Sequence, residues 1–209
     1  AVHITYMDYD EQHFEEKRGV SIEECFPFKD TTTTTWINID GIDDIPIIEK
    51  IGKAYALHPL ILEDIVTAGQ RPKFDNYEKY AYIVLKMLTY NYTTRAIESE
   101  QISIVFGANF VISFQEDVGD IFDPIRERIR QAKGKIRKMG ADYLAYSLID
   151  IIVDRYYTVI ERVGDRIEEM EEELLTDVSR ADLQELHGMR STLLYLRKNI
   201  LPVRDLLSD

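Results

Sequence analysis

Two stretches of this sequence place carboxylates where packing alone would not put them. Leu60-Ile61-Leu62-Glu63-Asp64-Ile65-Val66 sets two adjacent acids inside an apolar run. Leu148-Ile149-Asp150-Ile151-Ile152-Val153-Asp154 sets two more at a spacing of four, which brings them onto one face of a helix. An ionised acid against apolar neighbours is costly unless it is paired or bound to a cation. Glu63, Asp64, Asp150 and Asp154 are therefore candidate metal ligands. Ion pairs with Arg155 or the preceding arginines, or plain projection into water, would account for Asp150 and Asp154 as well. Carboxylate oxygen suits a hard cation such as Mg2+. The single cysteine, Cys25, and four scattered histidines (His3, His13, His58, His187) offer neither a disulfide nor a zinc-type cluster.

Other chemistries find less support. No G-x-S-x-G or S-x-x-K context surrounds any Ser or Thr, so nucleophilic catalysis has no basis and the chain does not read as an enzyme. Arg126 to Lys138 carries seven basic residues against one acid, Glu127. Without a Gly-rich loop, that stretch fits neutralisation by the eight acids between Glu161 and Asp177 better than phosphate binding. The balance of the whole chain points the same way. With 25 Lys and Arg against 38 Asp and Glu in 209 residues, the net charge is 25 − 38 = −13. Such a surface repels nucleic acid and concentrates cations. No stretch reaches the ~18 to 20 uninterrupted apolar residues of a membrane helix. His3, Asp8, Asp10 and Glu11 rule out a signal peptide at the start. The chain opens without Met and stops inside an apolar pattern, as a piece of a longer protein would.

The elements that must position these acids divide into two kinds. Up to about residue 140 the pattern is mixed. Strands are expected at Ile4–Met7, Thr34–Ile39, Tyr80–Tyr90, Ile102–Phe106 and Phe110–Phe114, where β-branched and aromatic residues gather. Ile45, Ile48 and Ile51 mark a helix from about Asp44 to Ala56, and Pro59 suits the first position of a second helix running to about Ala68. A third is expected from Ile121 to about Lys138. From Ala141 onward, Leu144, Leu148, Ile152, Tyr156, Val159, Val163, Ile167 and Met170 recur at steps of three or four. That spacing predicts one helix of roughly 35 residues. A capping box at Ser179-Arg180-Ala181-Asp182 opens another, antiparallel to the first. The expected organisation is thus an α/β part, residues 1–140, and a long acidic helical hairpin, residues 141–209.

These residues also resemble a known family. His58-Pro59-Leu60, Glu63-Asp64-Ile65 and Gln70-Arg71-Pro72-Lys73 stand in the order and spacing of the CorA family of magnesium transporters, preceded by Trp36-Ile37-Asn38-Ile39-Asp40-Gly41. Ala141-Asp142-Tyr143-Leu144, Leu148-Ile149-Asp150 and Val153-Asp154 are similar to the opening of that family's long acidic helix. The resemblance implies an N-terminal cytoplasmic domain, an α/β/α sandwich with a mixed sheet and a helical hairpin. It implies five identical subunits in the inner membrane, with the spans lying beyond residue 209 and this part on the cytoplasmic side. It further implies Mg2+, with Co2+ or another divalent cation as alternatives, bound between subunits and favouring a closed channel. The family's regulatory acids fall on Asp64, Glu63 and Asp150. A zinc transporter of the same superfamily is the nearest alternative, and a metal-dependent hydrolase using Asp150, Asp154 and Glu63 a more distant one.

Overall fold

A computed structural model describes residues 1–176, 183–191, 193 and 194. Its strands are β1 (His3–Tyr9), β2 (Phe14–Arg18), β3 (Thr34–Asp40), β4 (Lys73–Asn76), β5 (Tyr80–Asn91), β6 (Ala96–Gly107) and β7 (Phe110–Gln115). They form one mixed sheet in the order β2-β1-β3-β7-β6-β5-β4. The adjacent central strands β3 and β7 run parallel, Ile37 opposite Ile112 and Ile39 opposite Phe114. All five strands expected from β-branched and aromatic content are present. The two that were not foreseen, β2 and β4, are the edges. Phe14-Glu15-Glu16-Lys17-Arg18 and Lys73-Phe74-Asp75-Asn76 are mostly charged or polar, as edges that must avoid pairing with other chains tend to be. Such strands carry no hydrophobic alternation to read.

Each face of the sheet is covered by helix. On one face Ile4, Tyr6, Ile37, Ile39, Ile112 and Phe114 pack with α1 (Ile45–Ala54), α2 (Pro59–Val66) and a 3-10 helix over Ile22–Asp30. The side chains of the opposite parity point to the other face. There Trp36 meets Phe122 edge-on at 5.8 Å and Arg126 of α3 (Asp123–Arg130) at 5.0 Å. The expected third helix is shorter than its basic run because Ala132 turns to φ 51° and Gly134 to φ 65°. Like charges four apart, such as Lys133 and Arg137, oppose its continuation.

The second face also buries polar groups, and they are joined in a chain. Trp36 Nε1 donates to Ser113 Oγ at 2.9 Å, Ser113 Oγ to Asn38 Oδ1 at 2.6 Å, and Asn38 Nδ2 to Asp40 Oδ1 at 3.0 Å. Burial raises the pKa of Asp40, opposed by the Asn38 hydrogen bond and the charge of Arg126. Its folded-state carboxyl therefore keeps a proton to higher pH than the unfolded chain does, so ionising it as pH rises costs stability. Asp40→Asn is expected to stabilise the fold at pH 7 by about 1 kcal/mol, or 2–4 °C in melting temperature. The gain should shrink as pH falls through the ordinary carboxyl range and be gone at about pH 3, below the unfolded value, and equal gains at pH 7 and pH 3 would disprove the assignment.

The long helix α4 covers Ala141–Thr176, 36 residues, as its periodicity predicts. The described chain divides into two compact units, Ala1–Lys86 with Glu100–Ile151, and Met87–Ser99 with the described residues from Ile152 on. The first holds the core just described and buries Ala141, Leu144, Ala145 and Leu148 of α4. In the second, Ile152, Tyr156, Val159, Val163, Ile167 and Met170 form the buried stripe. Residues 183–191, 193 and 194 are helical. The capping box expected at Ser179–Asp182 lies outside the described residues.

Candidate metal centre

Glu63 and Asp64 ride on α2, whose start is fixed by local chemistry. His58 Nδ1 accepts the Leu60 amide at 3.1 Å, and Pro59 occupies a first-turn position that needs no N–H donor. The His58 amide donates to the Tyr80 hydroxyl at 2.8 Å, tying the cap to β5. Ile61 and Ile65 enter the core, which leaves Glu63 exposed and Asp64 half-buried between them. The far end of α2 is held by Gln101 of β6, itself buried. Its Nε2 donates to the carbonyls of Asp64 at 3.2 Å and Thr67 at 3.1 Å, and its Oε1 accepts the Gln70 amide at 3.0 Å. Gln101 thus satisfies the Thr67 carbonyl that the helix end leaves open, and gives the Asp64 carbonyl a second donor beside the Thr67 amide at 3.3 Å.

The Asp64 carboxylate has a counter-ion. Lys73, the first residue of β4, places Nζ 2.6 Å from Asp64 Oδ2 and 3.6 Å from Asp75. The hydrogen bond to Asp64 raises the pKa of Lys73, so the ammonium stays charged through the physiological range. A metal ion on Asp64 must compete with it. The QRPK segment was visible in the sequence, but only the β4–β5 pairing, with Lys73 opposite Val84, turns Lys73 toward the face that α2 covers.

Asp150 is half-buried and Asp154 exposed, one turn apart on α4, the former in the first unit and the latter in the second. The structure therefore keeps each sequence pair adjacent. Among the described residues, neither pair is joined by a third His, Cys, Asp or Glu to make a converging set of donors. One such set exists elsewhere, Asp8, His13 and Glu15, with donor atoms within 4.8 Å of one another. Sequence reasoning missed it because β2 was not foreseen, and only the β1–β2 register sets Asp8 opposite Glu15. Its carboxylates already have hydrogen-bond partners. Asp8 accepts from Thr33 at 2.6 Å and Thr35 at 2.8 Å and lies 3.4 Å from His13, while Glu15 accepts the Tyr6 hydroxyl at 2.9 Å. It closes a hairpin. The basic stretch after residue 125 finds its partners in the first unit. Arg126 pairs with Asp123, Arg130 with Glu16 and Glu127, and Arg137 binds the carbonyls of Asp10 and His13.

All donors in the two acid pairs are carboxylate oxygens, which fits a hard divalent cation that keeps much of its water. Two adjacent carboxylates cannot fill an octahedral shell, so water or further acids must complete it.

Residues 32–209 match the family model described as CorA-like Mg2+ transporter protein. The chain is 45% identical over 206 residues to the cobalt/magnesium transport protein CorA of Thermotoga maritima, covering 99% of this chain and 59% of that protein. It is 31% identical to the putative metal ion transporter YfjQ of Bacillus subtilis, over 82% of this chain and 52% of that protein. The chain thus spans a little over half the length of these relatives. In fold it is similar to the soluble domain of CorA from Methanocaldococcus jannaschii, with TM-score 0.71 and 18% identity over 96% of this chain and 76% of that one. The cytoplasmic domain of ZntB from Vibrio parahaemolyticus is also similar, with TM-score 0.63 and 10% identity over 100% of this chain and 97% of that one.

Proposed function

Because the chain belongs to the CorA-like Mg2+ transporter family, we propose that it is the divalent-cation-sensing regulatory domain of a magnesium transporter of the channel type, one that also carries Co2+. In this reading residues 1–140 are the sensing α/β part, and residues 141–209 are the hairpin leading toward the membrane-spanning part. Five identical subunits sit in the inner membrane with this domain on the cytoplasmic side. Asp64 and Glu63, with Asp150 and Asp154, supply oxygen to Mg2+ between neighbouring subunits, and a bound ion favours the closed state. The observation that carries the reading is the family match joined to an all-carboxylate donor set. The relatives are transporters, which leaves the hydrolase alternative without support. The zinc alternative has a likeness of fold alone behind it.

The mechanism follows from charge. A shared ion holds clustered acids together across a subunit boundary. When internal Mg2+ falls and the ion leaves, the same acids repel and the closed arrangement weakens. Lys73 sets the threshold, since its ammonium occupies Asp64 when the ion does not. The pair is partly exposed and worth up to about 1 kcal/mol, so Lys73→Met should lower the half-inhibitory Mg2+ concentration by up to about fivefold. The reading itself is tested by flux through the intact transporter against internal Mg2+, with Asp64→Asn and Asp150→Asn combined. Loss of inhibition is expected. Inhibition unchanged from the parent protein would return these residues to the surface acids they otherwise resemble.

A further inference from the structure

The β1–β2 hairpin of the first unit holds a set of mixed donors that the all-carboxylate chemistry of Glu63, Asp64, Asp150 and Asp154 does not use. Asp8 of β1, Glu15 of β2 and His13 of the turn between them bring two carboxylates and an imidazole nitrogen within 4.8 Å of one another. We propose that this hairpin binds a first-row transition dication of the Zn2+ type, at a site separate from the acids assigned to Mg2+.

Three observations carry this. Each carboxylate spends one oxygen on a hydrogen bond that orients it and keeps the other for an ion. Asp8 Oδ1 accepts the hydroxyls of Thr33 and Thr35, while Oδ2 faces His13. Glu15 Oε1 accepts the Tyr6 hydroxyl, and Lys17 Nζ approaches that same oxygen at 3.7 Å, which leaves Oε2. Hydroxyls placed behind a ligating carboxylate fix its direction. The spacing is the second observation. Asp8 Oδ2 and His13 Nε2 stand 3.4 Å apart, beyond the ~2.7 to 3.2 Å of an N–H···O hydrogen bond. Around a tetrahedral Zn2+ with bonds of ~2.0 to 2.1 Å, neighbouring donors stand ~3.4 Å apart, so this edge already has the bound spacing. Access and order are the third. The Asp8 side chain is only 6% exposed and no lysine or arginine pairs with it among the described residues, whereas His13 is 51% exposed and Glu15 37%. An ion can therefore reach a buried acid from solvent, and Glu15 can rotate onto it. The backbone of His13 is held in place, its amide by Asp10 Oδ1 at 2.6 Å and its carbonyl by the Asp10 amide and Arg137. Imidazole favours Zn2+, Co2+ or Ni2+, whereas Mg2+ takes oxygen, and three protein donors leave a fourth position for water.

The test is calorimetric titration of the chain with Zn2+ in millimolar Mg2+, read together with the imidazole nitrogen resonances of His13. One Zn2+ per chain should bind at His13 with a dissociation constant of ~10 μM or lower, and those resonances should shift with the same saturation. His13→Gln and Glu15→Gln should each weaken Zn2+ about tenfold or more, while Asp64→Asn leaves it unchanged. Thr33→Val removes only a hydroxyl behind Asp8 and should also weaken Zn2+, by about tenfold. Absence of saturable Zn2+ binding, His13 resonances that stay still, or equal affinity for Mg2+ would overturn the inference. So would a Zn2+ affinity that His13→Gln leaves intact or Asp64→Asn abolishes. The His13 resonances of the parent chain decide the question even where a variant proves unstable.

Discussion

Asp64→Asn in the intact transporter is expected to weaken inhibition by internal Mg2+ by about tenfold or more, while the domain itself stays folded. The two halves of that expectation rest on different magnitudes. In the proposed site the change removes one unit of negative charge while keeping an oxygen at the same place, and tenfold corresponds to about 1.4 kcal/mol. Within the fold, the same change breaks only the ion pair to Lys73, whose partners are 39% and 23% exposed, and such pairs contribute about 0–1 kcal/mol. Lys73 retains Asp75 at 3.6 Å. Binding therefore changes more than stability. Lys73→Met breaks the same ion pair yet should shift inhibition the opposite way, because it removes the competitor and keeps the ligand. If both substitutions moved the Mg2+ response in one direction, the pair would be acting through stability, and the sensing role of Asp64 would fail.

Gln101→Leu should have the largest effect on stability. One buried side chain makes three hydrogen bonds across 31 to 37 residues of sequence, to Gln70, Thr67 and Asp64. Leucine fills similar space but leaves the Thr67 carbonyl and the Gln70 amide without partners, and the Asp64 carbonyl with only the Thr67 amide at 3.3 Å. Each such group costs about 1–3 kcal/mol when buried, less where water can reach it. Since Thr67 and Gly69 are exposed, we expect a loss of about 3 kcal/mol, a fall of 6–12 °C in melting temperature. Hydrogen exchange should quicken first at the amides of Thr67 to Gln70. Because that turn ends the helix that carries Asp64, the variant should also respond more weakly to Mg2+ below its melting point. A melting temperature within 2 °C of the parent would show that water replaces the side chain without loss.

What the sequence determined by itself is the part governed by periodicity and local chemistry. The central strands, α1, α2 and the length of α4 follow from apolar spacing, because a buried face imposes its own period on the chain. The start of α2 follows from His58 and Pro59, whose capping roles need only the next few residues. Glu63, Asp64, Asp150 and Asp154 stood out because an acid in an apolar run is costly wherever the chain goes. Tertiary structure decided everything that depends on pairing across distance. The edge strands β2 and β4 lack an apolar face, so no spacing announces them, and with them were hidden the salt link of Lys73 to Asp64 and the meeting of Asp8 with Glu15. Gln101, one of several polar residues in β6, gains its role only when that strand passes beneath the end of α2. The early end of α3 depends on a left-handed turn at Ala132 that like-charge repulsion favours but no motif marks. Local signals are written in neighbouring residues, whereas counter-ions and caps supplied from another strand exist only once the sheet has set its register.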